Sequence, residues 1–277
     1  MDKLEEYKQL LKKKCGLSNT NINYLHLKKE DIQDLFERVN ELKVQLPQSV
    51  CNENIIDEIK VIYEKIRVEM QSNFYPISER AEIKIVNADI LGPYFDGKGL
   101  VINPKKCELL QKGILPLLIM HELEPGHFYF YKQLNGILPE PNDALIEGWS
   151  LYVEDFCPET PETRYGIMLS KLIRYVRVIG DVLYHTGQFN DKQLREFLKA
   201  EFPFSNRIEE EIKRIKTMKG YAMCYVFGEQ FYTYLKEKYA SRFDSMPEYH
   251  KFLFEGLRKM NTQKRTDIQF LLDYFNV

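Results

Sequence analysis

The stretch best equipped for chemistry is His121-Glu122-Leu123-Glu124-Pro125-Gly126-His127, which directly follows an apolar run from Gly113 to Met120. Two imidazoles with a carboxylate beside the first are the parts of a hydrolytic zinc site. His121 and His127 would be ligands, and Glu122 the base that takes a proton from water. The spacing is unusual. In H-E-x-x-H the histidines stand at i and i+4 on one helix face, whereas here they stand at i and i+6. A straight helix would separate them by about 9 Å of rise and turn them to different faces. Two ligands of one zinc must bring their nitrogens to within about 3–4 Å. Pro125 and Gly126 offer the remedy: proline cannot donate to the carbonyl of His121 and clashes with it, and glycine accepts the backbone angles of a break. The helix is expected to end or bulge there and to swing His127 back towards His121.

A tetrahedral site for one Zn2+ per chain needs a third protein ligand. The acidic helix expected over 142–156 carries Glu147, 20 residues beyond His127, and Glu154, seven further on and nearly on the same face. Glu147 completes a His-His-Glu set with a position open to water. Glu154 then orients a ligand histidine from behind. The competing reading of the two glutamates is a solvated acidic pair.

The H-E-x-x-P-G-H motif and the E-G-W-x-L-Y-x-E motif at 147–154 together resemble a bacterial domain-of-unknown-function family of zinc-peptidase-like proteins, related in architecture to the mostly helical gluzincins. Three further stretches match in order. Gly92-Pro93-Tyr94 to Asn103-Pro104 is similar to the family's Pro-Gly-x-Tyr-Tyr-x-Asn strand. Arg174, Arg177, Asp181 and His185 are similar to its arginine-rich helix, and Arg214 to Gly228 to its Arg-Tyr-x-x-x-Pro-Gly-Gln-x-x-x-Tyr-x-x-Gly segment. The resemblance covers roughly residues 85–235. It implies that His121, His127 and Glu147 bind zinc, that Glu122 is the general base, and that the substrate is a peptide or other amide. It also departs from the family. Typical members are about twice this length, Glu124 stands where an apolar residue is common, and Met218-Lys219-Gly220 replaces Pro-Gly-Gln. A shortened cleft suits a small or specialised substrate, or a homodimer whose second copy supplies the missing wall.

Beside such a site the row Arg174, Arg177, Asp181, His185, at spacings of three and four, gains a functional reading. The arginines would bind a substrate carboxylate, and His185, oriented by Asp181, would stabilise the oxyanion. Without the site the same row is a solvated ion-pair ladder. Tyr225 shares a helix face with Tyr221, Tyr232 and Gly228. It is either a second donor to the transition state or a buried structural tyrosine. By the resemblance of its strand, Tyr94 either supports the ligands or touches substrate. His26 and His250 receive no role; His26 is expected at the surface or as a cap, and His250 at the surface.

The elements that must hold these residues are mostly helices. Apolar residues recur at helical spacing over 2–15, 31–46, 54–74, 160–187, 191–201, 205–219, 221–239, 247–260 and 267–275. A further helix is expected to start at Asn103-Pro104. Residues 81–86 alternate as a half-buried strand, and 100–102 read as a second after a Gly-rich connection. The expectation is a mainly α, gluzincin-like metallopeptidase domain with a small antiparallel β-hairpin at its cleft. It forms one domain, 1–277: a helical scaffold to 75, a metal-site core over 81–235 and closing helices over 236–277.

A net charge of −2 argues against a nucleic-acid partner. No stretch approaches 18 apolar residues, so no membrane span is expected. The opening MDKLEEYKQLLKKK reads as a helix rather than a signal peptide, and five scattered cysteines without a C-x-x-C pair read as reduced thiols, which together suggest a cytoplasmic protein. Two rivals to a zinc amidohydrolase remain: a metal-dependent enzyme of another class acting on a small metabolite, and an inactive binding protein that retains the metal site. Glu122→Gln separates them, since only a hydrolase loses turnover while keeping its metal.

Overall fold

The computed structural model describes residues 2–16, 37, 41, 55–87, 92–103, 113–135 and 142–276. The helix expected over 31–46 and the start expected at Asn103-Pro104 lie largely or wholly outside these, as does His26. The described residues form a mainly helical structure with one small sheet. In chain order these are α1 (Lys3–Lys14), α2 (Ile55–Glu69), β1 (Glu82–Ile85), β2 (Tyr94–Phe95), β3 (Gly99–Ile102), α3 (Leu115–Glu122), α4 (His127–Gln133), α5 (Asp143–Glu154) and α6 (Pro161–His185). Then follow α7 (Asp191–Glu201), α8 (Ile208–Thr217), α9 (Tyr221–Tyr239), α10 (Met246–Thr262) and α11 (Gln269–Phe275).

Helix starts obey local chemistry. Thr160 and Thr163 form a reciprocal capping box at α6, where Pro161 opens the helix, and Asn190 with Gln193 does the same for α7. The Asn142 side chain accepts from the amides of Ala144 and Leu145 and so caps α5, while its amide group donates to the Thr266 carbonyl at 2.8 Å. The start of the site-bearing helix is thereby tied to the C-terminal region.

The sheet corrects the expected hairpin. β1 and β3 run parallel, Glu82 opposite Gly99 and Ile85 opposite Ile102, and β2 pairs antiparallel with the other edge of β3. Alternation reveals a strand but not its neighbour. The connection from β1 is long enough to contain β2, and β2 rather than β1 makes the tight antiparallel return to β3.

The largest core gathers around Trp149, which is fully buried among Phe74, Tyr129, Phe130, Tyr152, Tyr232 and Phe254. α5 and α9 approach closely where Gly148 meets Gly228. A methyl at Gly228 would stand 1.9 Å from the Ala144 carbonyl oxygen. A second core joins α6, α7 and α8 through Leu169, Val176, Leu194, Leu198 and Ile212, and a third seats α1 on α6 and α9 through Tyr7, Leu11, Val178 and Val226. His250 belongs to the interior and not to the surface. Its Nδ1 donates to the Asn73 carbonyl at 2.7 Å, its Nε2 accepts from the Tyr152 hydroxyl at 2.8 Å, and Phe74 stacks on its ring. Among the described residues no helix is long and apolar enough to cross a membrane.

Candidate metal centre

The predicted break occurs at Pro125-Gly126. α3 ends at Glu122, the chain turns through Leu123 to Gly126, and α4 begins with His127 itself. Glycine is needed at 126 because a Cβ there would stand 1.9 Å from the His121 carbonyl oxygen and 2.2 Å from that of Met120. Two contacts hold the turn. Trp149 Nε1 donates to the Pro125 carbonyl at 2.8 Å, which gives the tryptophan of the second motif a task in the first. Glu124 accepts from Tyr63 and Arg67, and Arg67 also bonds the carbonyls of Ile77 and Glu79 at 2.7 and 2.9 Å. The acid at 124 thus anchors the turn to α2 and to the chain leading into β1. Burial raises its pKa to about 7 against the opposing pull of Tyr63 and Arg67.

The turn returns His127 to His121. The two rings stand edge to face with centroids 4.9 Å apart. Glu147, from the middle of α5, completes the group: its Oε2 lies 3.5 Å from His121 Nε2 and 3.4 Å from His127 Nε2. These three side chains could together hold a metal ion. The separations exceed an ordinary hydrogen bond of about 2.7–3.2 Å. They match the edge of a tetrahedron with ligand bonds of about 2.0–2.1 Å, which is about 3.3 Å. Among the described residues, Glu147 Oε2 and His127 Nδ1 are buried without a hydrogen-bond partner. Orphaned buried acceptors are rare and costly, and an ion at the centre would satisfy the carboxylate oxygen.

The remaining atoms of the group are held from behind. His121 Nδ1 lies 2.8 Å from Glu154 Oε1, which directs its Nε2 at Glu147. Arg174 donates to Glu154 Oε2 at 2.6 Å. Tyr221 donates to Glu147 Oε1 at 2.6 Å, leaving Oε2 for the histidines. Phe95 of β2 stacks on the His127 ring at 6.0 Å. Neither Tyr221 nor Phe95 was singled out from the sequence. Tyr221 shares the face of Tyr225, which is a usable signal, but nothing in the spacing of β2 announced a contact with His127.

Charge in the group follows from these contacts. Burial opposes ionisation of Glu147, yet the two imidazoles hold it well below the usual carboxylate range. Burial likewise opposes protonation of His121, but Glu147 and Glu154 carry its pKa up to about 10. Glu154 also stays below its ordinary value, because Arg174 and His121 outweigh burial. Metal binding would displace the His121 proton, since only a neutral imidazole coordinates.

A cavity of about 180 Å³ opens beside the triad and is lined by His121, Glu122, Glu154, Arg174, Arg177, Arg207, Arg214 and Tyr225, among others. Glu122 is buried at its wall, and desolvation raises its pKa ahead of the opposing effect of His121 and His127. Of the residues predicted from sequence, His121, Glu122, His127, Glu147, Glu154, Arg174, Arg177 and Tyr225 gather at the triad and this cavity. Arg174 and Arg177 are engaged with carboxylates there. Arg177 makes two bonds of 2.7 Å to Glu211, tying α6 to α8.

His185 and Asp181 do not line that cavity. His185 Nε2 bonds the Ile215 carbonyl at 2.8 Å, and Asp181 accepts from the Tyr7 hydroxyl at 2.5 Å and the Gly220 amide at 2.9 Å. The row winds around α6 as it advances, and its last two members face α1 and the start of α9. Tyr94 is 44% exposed on β2, away from the cavity that its neighbours Gly92 and Pro93 line.

Comparison with known proteins places these features in a family. Residues 4–256 match the model of the family described as "Bacterial protein of unknown function (DUF885)", and the chain belongs to that family. No curated protein matches it. Among solved structures, the "putative lipoprotein" of Colwellia psychrerythraea superposes with a TM-score of 0.76 at 18% identity, covering 99% of this chain and 55% of that one. The "putative lipoprotein of unknown function" of Shewanella oneidensis gives 0.64 at 14% identity, covering 98% and 53%. The chain therefore shares their fold and spans about half their length.

Proposed function

We propose that this DUF885 member is a metal-dependent hydrolase that cleaves an amide bond of a small substrate, with zinc the ion that its two imidazoles and one carboxylate suit best. The observation that carries this reading is the position of Glu147 Oε2, buried without a hydrogen bond among the described residues and at tetrahedral-edge distance from both Nε2 atoms. The gluzincin-like and peptidase-like reading of the two motifs agrees with it.

His121, His127 and Glu147 would hold the ion, and Glu154 would keep His121 in the tautomer that coordinates through Nε2. A bound zinc ion supplies a Lewis acid that polarises a carbonyl and makes water acidic near neutral pH. Glu122 takes the proton of the attacking water and returns it to the leaving amine. Its raised pKa brings it nearer the range where one carboxylate serves as both base and acid. Tyr225 lines the same cavity and is the candidate donor to the substrate oxyanion, the role for which His185 is poorly placed. The small cavity favours a short substrate over a long peptide.

Glu122→Gln tests the reading. Zinc-loaded protein should hydrolyse a panel of N-acyl amino acids and dipeptides. The variant should lose about 10²–10⁴-fold in kcat with its zinc content unchanged. Equal turnover in the two proteins, or no hydrolysis by the zinc-loaded parent, overturns it.

A further inference from the structure

Four arginines line the cavity beside the triad, and three are matched by acids. Arg174 is bonded to Glu154 at 2.6 Å and lies 3.4 Å from Glu229, Arg177 is held bidentate by Glu211, and Arg207 lies 3.0 Å from Glu210. The fourth, Arg214, makes no ion pair or side-chain hydrogen bond among the described residues, yet it lines both this cavity and an adjoining recess. The recess also contains Asp181, but that carboxylate is taken up by Tyr7 and Gly220. Arg177, ahead of burial, presses the Arg214 pKa downward; the nearby Glu211 opposes this only in part, because its carboxylate is already held bidentate by Arg177. Arg214 is half-buried, and a partly desolvated guanidinium without an acid of its own carries an electrostatic cost that a bound anion would relieve.

Resting on the hydrolase reading, we infer that Arg214 receives a free carboxylate of the substrate. The substrate class is then a small amide bearing a carboxylate close to the scissile bond, such as an N-acyl amino acid or the C-terminal end of a short peptide. A guanidinium offers two parallel N–H donors to a carboxylate, a match a neutral amide or ester cannot reproduce. The cavity of about 180 Å³ is smaller than the roughly 300–1,000 Å³ of pockets for drug-sized ligands. His121, Glu122, Tyr225 and Arg214 all border it, so one short molecule can reach the metal site and the arginine together.

Calorimetric titration of zinc-loaded Glu122→Gln protein, with a series of N-acetyl amino acids and their C-terminal amides, tests this. The acids should bind about 10- to 100-fold more tightly than the amides. Adding Arg214→Met should remove that preference with amide affinity and zinc content unchanged, and Arg214→Lys should keep part of it. Equal binding of acids and amides, no measurable binding of the acids, or a preference that survives Arg214→Met overturns the inference. Should Arg214→Met fail to fold by circular dichroism, the acid–amide comparison and Arg214→Lys still decide. The two proposals fail separately. Acid preference without turnover in the parent protein sinks the hydrolase and spares the anion site, whereas turnover without acid preference does the reverse.

Discussion

Among the described residues, two buried regions contain histidine, and they treat it in opposite ways. Around His250 every polar atom of the ring is answered: Nδ1 by the Asn73 carbonyl, Nε2 by Tyr152, and its face by Phe74. Around His121 and His127 the polar groups converge but do not close, and Glu147 Oε2 and His127 Nδ1 are left over. Both regions adjoin Trp149, whose ring packs against His250 while its Nε1 bonds the Pro125 carbonyl. Burial alone therefore does not separate a structural histidine from a candidate ligand. Completeness of hydrogen bonding does.

The largest effect expected from this contrast is on stability at His250. His250→Phe keeps the stacked ring but strands the Asn73 carbonyl and the Tyr152 hydroxyl, at a cost of about 2–4 kcal/mol at neutral pH. The pH dependence gives a second readout. Burial lowers the His250 pKa to about 3, against an unfolded value of 6.5. Between these values the unfolded chain binds a proton that the folded one does not. The stability is present above 6.5 and is lost as pH falls towards 3, by about 1.4 kcal/mol per unit. Urea unfolding at pH 7 and 5.5 should show this loss in the parent protein and a shallower one in His250→Phe. Equal slopes would mean that His250 is not the group responsible.

A smaller effect, on metal rather than on folding, is expected behind the triad. Glu154→Gln weakens the acceptor for His121 Nδ1 and should reduce zinc affinity about 10- to 100-fold. Competition with a chelator measures it. If Glu154→Gln holds zinc as tightly as the parent, the His121–Glu154 contact is a structural pair like that of His250, and the distinction between the regions blurs.

What could be read from the sequence follows the range of the forces involved. Helix periodicity, caps and the Pro-Gly break are local, and α1, α5, α6, α7 and α9 lie close to where the pattern puts them. The 147–154 motif led to Glu147 and Glu154 because their spacing sets them on one face. Partners from distant segments were not legible. His185 looked like a site residue by spacing along α6, but α1, some 170 residues earlier, brings Tyr7 against Asp181, and Ile215 of α8 takes the ring nitrogen. His250 looked superficial until Asn73 and Tyr152 closed over it. The alternating pattern of β1 revealed a strand but not that β3 would pair with it in parallel. At Arg174 and Arg177 the sequence showed charge near the site but could not show which acids already held it, nor that Arg214 makes no ion pair among the described residues.

The central claim is that the orphaned carboxylate and the two imidazoles exist to bind an ion. Elemental analysis of the purified chain beside His127→Ala, after exposure to zinc and removal of excess, tests it most directly. The account predicts one zinc per parent chain and almost none in the variant, with helical content by circular dichroism unchanged. A folded parent chain that retains no stoichiometric zinc, or a variant that retains as much as the parent, would contradict it.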